Sequence, residues 1–401
     1  MPHPPEPHYS FTVPSIHDDT TLDCRLYHPE VLSQPSSRDV ARKEQWRRRG
    51  IVMAHPYAPL GGSFEDRVVG IVVTELLALG YVVGTFNFRG AHGSKGRTSW
   101  SGKPELDDYL SVAAFFMHYM SYVQPFPTPD TTFTPESSPV KTRAPKPGVL
   151  AKNDPALIIL GGYSYGSMIL RHLPPVPSIL HPFSAPMTGS AASEILLRAR
   201  KLADQSNLEW INLARDHEHQ RRRGHVNKLS VTMGGEETNP DLRRSSREIR
   251  RSIDGGRRSL DLKTRMRSVS HRRRKKSAPG TPPESNIAHV AITMPHVRYL
   301  LISPLTPPVS TLAAPGLSRF WSRWKEEHHE VVGKHTALAV YGDQDIFSSV
   351  KKVREWATKL SSEPGSRFSH AEVAGAGHFW IEHGVEEKLR SAIRDWEAGI
   401  R

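Results

Sequence analysis

The residues best suited to covalent chemistry lie in Gly162-Tyr163-Ser164-Tyr165-Gly166, inside the stretch ALIILGGYSYGSMILRHL at 156–173. An apolar run too short for an independent helix enters this pentapeptide, and a helix pattern leaves it from Ser167. A serine between two glycines at a strand-to-helix turn can be held in a strained conformation with its hydroxyl lifted clear of the sheet. Small neighbours let strand and helix pass closely, and free N–H groups of the first helical turn point at the same spot. A serine hydroxyl is a poor nucleophile at neutral pH and needs a base within hydrogen-bond reach. That base is normally a histidine held in one tautomer by a carboxylate. Of the 21 histidines, His378 is the one in a glycine-flanked loop, Gly375-Ala376-Gly377-His378, after the last strand pattern. The acid comes from Gly342-Asp343-Gln344-Asp345. Asp345, at the far end of the turn, can reach sideways to the neighbouring loop and is preferred to Asp343.

An oxyanion developing on an attacked carbonyl needs preorganised N–H donors. The backbone N–H of Tyr165 is one candidate. The main-chain N–H of Tyr57, in the turn His55-Pro56-Tyr57 before Gly61-Gly62, is the other. His55 reads as a residue that fixes its turn and not as a base. Arg89 reads as a structural tie between loops, and Asp107 and Asp108 as helix-dipole partners.

These residues must be positioned by the elements around them. Short strand patterns occur at 9–15, 21–29, 51–54, 81–88, 156–161, 297–303, 337–341 and 369–373. Between them, 64–79, 105–120, 350–360 and 385–396 carry apolar residues at helical spacing. Strands alternating with helices imply a mostly parallel sheet covered on both faces. His55, Arg89, Ser164, Asp345 and His378 each follow a strand pattern, at the carboxyl edge where such sheets place their working loops. The expected division is 1–50 as N-terminal strands and linker, 51–173 as a first core part, 174–295 as an insertion, and 296–401 as a second core part. Within the insertion, 191–214 reads as an amphipathic helix able to cap the site, and 215–285 as a basic disordered segment. Residues 124–153 read as a surface excursion and 317–330 as a further helix.

The net charge of +13 is concentrated. Residues 215–276 hold 20 Lys and Arg against 8 Asp and Glu, so the rest of the chain is close to neutral. The single cysteine, Cys24, excludes intramolecular disulfides and cysteine-rich metal sites, and its alternation with Leu22 and Leu26 marks a buried strand position. No run of 18 apolar residues is present, and MPHPPEPHYS lacks the positive start and apolar stretch of a secretory signal. The expected location is cytoplasmic, and the basic run 272–276 is also compatible with nuclear import.

Taken together, HPYAPLGGSFEDRVV, FNFRGAHGSKG, GYSYGS, YGDQD and GAGHFW resemble the α/β-hydrolase superfamily. The chain is most similar in pattern to a group of small bacterial-type hydrolases whose oxyanion turn begins His-Pro. The resemblance implies an α/β-hydrolase fold and a serine hydrolase with Ser164 as nucleophile, Asp345 as acid and His378 as base. It implies a small-molecule substrate with an ester, thioester or related acyl bond, and no metal or organic cofactor. The segment 174–295 departs from that pattern, because smaller relatives connect the elbow helix directly to the next strand.

The insertion supports a reading of another class. Arg243-Arg244-Ser245-Ser246, Arg250-Arg251-Ser252 and Arg257-Arg258-Ser259 repeat a basic-basic-Ser theme before the run Arg272–Lys276. A solvated loop is the plain interpretation; attraction to an anionic membrane surface, a phosphorylated partner or nucleic acid is another, and a nuclear-import signal or a set of basophilic-kinase sites is a third. No Phe, Tyr or Trp occurs in 215–285, which argues against a base-stacking nucleic-acid module. The alternative to an enzyme is therefore a non-catalytic α/β-hydrolase scaffold that binds an anionic partner through this segment.

Overall fold

The computed structural model describes residues 5–33, 46, 48–124, 155–229, 292–307, 309–316 and 331–399. The surface excursion, the basic runs between 243 and 276, and the helix expected over 317–330 lie outside the described residues. The chain divides into two units, Met1–His217 with His289–Arg401, and Glu218–Ala288. Of the second, only the end of one helix is described.

The first unit is built on one eight-stranded sheet. Its strands are β1 (Tyr9–Pro14), β2 (Thr21–Tyr27), β3 (Arg49–Ala54), β4 (Val82–Phe86), β5 (Leu157–Tyr163), β6 (His296–Ile302), β7 (Ala337–Gly342) and β8 (Phe368–Val373). They lie in the order β1-β2-β4-β3-β5-β6-β7-β8. The β1–β2 and β2–β4 pairs are antiparallel and the rest are parallel. This mostly parallel, helix-flanked sheet is the α/β-hydrolase fold that the sequence leads one to expect.

The central strands are apolar on both faces, as parallel strands between two helix layers must be. In β3, Val52 and Ala54 join one core while Ile51 and Met53 join the other. On the first face lie α1 (Glu30–Ser33), α3 (Lys103–Tyr122), α4 (Tyr165–Arg171), α5 (Val176–Leu180) and, through Ile195 to Trp210, α6 (Ala191–Leu229). On the second, α2 (Arg67–Ala78) packs beside α10 (Val385–Ala398). The remaining described helices are α7 (Val309–Ala313), α8 (Val331–Lys334) and α9 (Val350–Ser362). Asp66 caps α2 by accepting from Val68 N–H at 2.8 Å, and Gly80, at φ 85°, turns the chain into β4.

Helix α6 corrects the sequence reading in extent. It runs through 215–229, which composition alone assigned to the disordered segment. Low hydrophobicity argued for disorder, but Arg, Lys and Gln are good helix formers and this piece contains no proline. Its contacts also bear on the cap expected over 191–214. Ile195, Ala199, Ala203 and Trp210 are buried in the core on the α3 side of the sheet. Arg198 donates to Thr12 Oγ1 at 2.8 Å, Tyr9 O–H to Glu209 Oε2 at 2.7 Å, and Asn207 Nδ2 to the Tyr122 carbonyl at 3.1 Å. Ser206 Oγ meets the Tyr119 hydroxyl at 2.9 Å, and that hydroxyl meets His28 Nε2 at 2.8 Å. These contacts seat the helix on β1 and the end of α3, and none of them reaches Ser164.

Candidate active site

The strand order itself creates a crevice. After β4 the chain crosses to the other side of β3 to form β5, so the loops leaving β3 and β5 diverge side by side at a topological switch point. Ser164 follows β5 directly and takes φ 54° and ψ −112°, a backbone region that side-chain-bearing residues enter at a cost of roughly 1–3 kcal/mol. The strain is held by packing. A Cβ on Gly162 would stand 2.4 Å from the carbonyl carbon of Gly166, and a Cβ on Gly166 2.7 Å from the carbonyl oxygen of His55. Both positions require glycine because helix α4 folds back onto β5 and lies against the end of β3. Ser164 N–H donates to Ile302 O at 2.9 Å, which ties the turn to β6.

Three of the residues singled out from sequence meet here. His378 Nε2 lies 2.8 Å from Ser164 Oγ, and His378 Nδ1 lies 2.7 Å from Asp345 Oδ2. The His378 and Asp345 side chains are each only 3% exposed, so water competes little for these bonds. The other oxygen, Asp345 Oδ1, accepts the N–H groups of Phe347 and Ser348 at 2.8 and 3.0 Å. A carboxylate can only accept, so Nδ1 carries the ring proton and Nε2 of the neutral imidazole accepts the serine O–H.

Asp343, the competing acid, turns elsewhere. Its Oδ1 accepts Gly375 N–H at 2.7 Å and so holds the loop that carries His378. Two further supports had no sequence signal. The buried Tyr163 hydroxyl donates to the His378 carbonyl at 2.9 Å, and burial pushes that hydroxyl's pKa up, which keeps it a donor. Trp380, with φ 55° and no exposure, donates its indole N–H to Ser303 Oγ at 3.0 Å. These partners lie 77 to 215 residues apart in the chain, beyond the reach of any local pattern.

The expected oxyanion residues are neighbours. The Tyr57 and Tyr165 rings pack with centroids 5.0 Å apart. Tyr165 opens α4, where position in the helix leaves its N–H without an intrahelical acceptor. Tyr57 precedes a 3-10 turn, Ala58–Leu60, and its carbonyl accepts Leu60 and Gly62 N–H at 3.1 Å each. Fully buried His55 accepts Phe88 N–H at Nε2 (2.8 Å) and faces Pro56 O through Nδ1 (2.5 Å). Burial lowers its pKa to about 4, so the ring stays neutral and braces the turn.

Arg89 is the structural tie expected of it. Its Nε and Nη2 grip Asp108 at 2.9 and 2.7 Å, while Nη1 and Nη2 reach Asp18 at 3.0 and 3.2 Å. Asp108 is more than a helix-dipole partner: it is fully buried, and its carboxylate also receives Arg89 N–H at 3.2 Å. Burial pushes Asp108 up in pKa, and the guanidinium opposes that. At Asp18 burial also acts upward, but the bonds from Arg89 and Thr20 outweigh it and bring the carboxyl down to about 2. Asp107 pairs with His17 Nδ1 at 2.9 Å.

Among the described residues, no group of three or more His, Cys, Asp or Glu is placed to hold a metal ion. None of their helices is long and apolar enough to cross a membrane. Buried Cys24, its pKa raised by burial, is an inert strand residue.

No family model matches the chain, and no curated protein does so. Solved structures are similar to it in arrangement. An α/β serine hydrolase homologue from Coxiella burnetii is 14% identical, with 98% of each chain covered and a TM-score of 0.44. An α/β serine hydrolase without a lid from Xanthomonas campestris is 14% identical over 99% of this chain and 98% of that one, with a TM-score of 0.43. An esterase from Pyrococcus furiosus is 11% identical over 99% and 96%, with a TM-score of 0.39. These likenesses carry no activity across to this chain, whose functional reading rests on its own geometry.

Proposed function

We propose that the chain is a serine hydrolase that cleaves a carboxylic ester, thioester or related acyl bond through an acyl-enzyme. One observation carries the reading: the continuous chain of hydrogen bonds from Asp345 through His378 to the hydroxyl of a strained, elbow-mounted Ser164. Ser164 Oγ attacks the carbonyl carbon while His378 Nε2 takes its proton. The carbonyl oxygen becomes an oxyanion facing the main-chain N–H groups of Tyr57 and Tyr165. The bond to the leaving oxygen or sulfur then breaks, and that atom departs with the proton from His378. Water, deprotonated by the same imidazole, attacks the acyl-serine. The acid leaves, and the proton returns to Ser164. Asp345 keeps the ring in its tautomer and stabilises the imidazolium without taking the proton. The His-Pro turn group is the subgroup to which we assign it, on the strength of His55-Pro56.

The test is labelling with a fluorophosphonate probe together with turnover of short p-nitrophenyl esters. Wild-type protein is expected to label and turn over, and Ser164→Ala to do neither. Labelling that persists unchanged in Ser164→Ala refutes the assignment.

A further inference from the structure

The loops beside the imidazole carry large apolar side chains, several of them exposed. Phe347 packs edge-on to His378 with ring centroids 4.7 Å apart, and Phe379 does so at 5.6 Å. The two phenylalanines meet edge-on at 5.8 Å, so three rings form a continuous cluster. Phe379 is nevertheless 50% exposed, and Ile346, next to Asp345, is 76% exposed. Ile381 is 66% exposed, whereas Trp380 between it and Phe379 is fully buried. The left-handed backbone at Trp380 accompanies this alternation: the indole goes into the core and its two apolar neighbours face out. Large apolar side chains thus face solvent beside both His378 and Asp345.

Mechanism fixes which half of a substrate meets this surface. The leaving atom departs with the proton carried on His378 Nε2, so it must lie within hydrogen-bond reach of that nitrogen. Whatever is bonded to the leaving atom therefore extends over the imidazole side of the site, where Phe347 and Phe379 pack against the ring and exposed Ile346 follows Asp345 in the chain. The oxyanion lies on the side of Tyr57 and Tyr165.

We propose that Phe347, Phe379 and Ile346 bind the leaving-group half of the substrate, and that this half is an apolar alcohol with an aliphatic chain or ring. The assignment rests on the hydrolase reading above. When the carbonyl–oxygen bond breaks, the alcohol oxygen receives the proton from His378, its apolar part remains against the phenylalanines, and the acyl group stays on Ser164.

The experiment is a series of n-alkyl acetates from ethyl to octyl, hydrolysed by the full chain. All of them give the same acetyl-enzyme, and their primary alcohols differ little in acidity, so kcat/KM reports contact with the alcohol alone. We expect kcat/KM to rise roughly two- to four-fold per added methylene until the surface is covered, the upper figure being full burial of a methylene. Limiting kcat is expected to converge on the shared deacylation rate. Phe379→Ala and Ile346→Ser, two changes at exposed positions, are each expected to flatten the dependence on chain length. Leu197→Ala, an exposed apolar position on α6, is expected to keep the wild-type dependence. A flat series in wild-type protein, or the same rise in both Phe379→Ala and Ile346→Ser, overturns the proposal; fluorophosphonate labelling of Ser164 in that protein shows that the hydrolase reading survives. Absence of both labelling and turnover overturns the two together.

Discussion

Asp343 holds the backbone of Gly375, its Oδ1 accepting that N–H at 2.7 Å, three residues before the imidazole that Asp345 orients. Two carboxylates two residues apart in sequence thus act on the same loop, one on its backbone and one on its side chain. Asp345→Asn is expected to lower kcat/KM by roughly 10³–10⁴-fold, because the amide favours the wrong imidazole tautomer. Asp343→Ala removes a loop bond worth about 1–2 kcal/mol and leaves the tautomer alone. Steady-state kinetics with thermal melts on both variants separate the roles, and equal activity losses would contradict the division.

The backbone strain at Ser164 makes an opposite pair of predictions for stability. Ser164→Gly is expected to abolish the proposed activity but relieves a φ of 54°, for an expected net gain of about 1 kcal/mol after the entropy of the added glycine. Gly166→Ala places a methyl 2.7 Å from the His55 carbonyl and is expected to cost about 1–3 kcal/mol or more. Chemical denaturation of the two variants checks both signs.

Acid sensitivity follows from the buried imidazoles. His55 has its pKa lowered by burial to about 4, against 6.5 for the ordinary group, and stays neutral in the folded chain. Below pH 6.5 the unfolded chain takes up a proton that the folded chain refuses. Stability therefore falls between pH 6.5 and about 4, at up to about 1.4 kcal/mol per pH unit for this one group, and levels off below. His28 and His118, lowered by burial to about 3 and about 4, act in the same direction. Unfolding free energies at pH 7, 5.5 and 4.5 should show a shallower slope, by close to one proton, in His55→Gln. An unchanged slope would place the sensitivity elsewhere.

The Arg89–Asp108 pair is expected to behave as a buried unit. Arg89→Met leaves a carboxylate without exposure and without its cation, at an expected cost of roughly 3–5 kcal/mol. Adding Asp108→Leu to that variant should recover most of the loss. A double variant no more stable than the single one would mean that the ion pair itself, and not the unpaired charge, sets the penalty.

The sheet and the Ser164, Asp345 and His378 positions were legible because each rests on local chemistry. Apolar runs of strand length end in glycine-rich turns, and those turns all fall on one edge of a parallel sheet. Asp345 could be preferred to Asp343 because a side chain at the far end of the Gly342 turn reaches across. What Asp343 does instead was not legible, since its partner is a backbone N–H 32 residues away. The burial of Asp108 was hidden for a similar reason: an acid in the first turns of a helix is an ordinary surface feature until a distant arginine covers it. The full length of helix α6 is not legible, because the hydrophobic pattern fades after Leu213 while helix propensity does not.

The bond from the Tyr163 hydroxyl to the His378 carbonyl joins the residue before the serine to the backbone of the histidine. Ser164 and His378 are therefore fastened to one joint instead of resting on two independent loops. A distortion that tilts the end of β5 drags the imidazole along with the hydroxyl. Damage to this centre should accordingly appear as rotation of the pair against a bound ester, with their 2.8 Å spacing kept. Tyr163→Phe, by cutting the joint, should make substitutions in the elbow and in the 375–378 loop additive where they were coupled before.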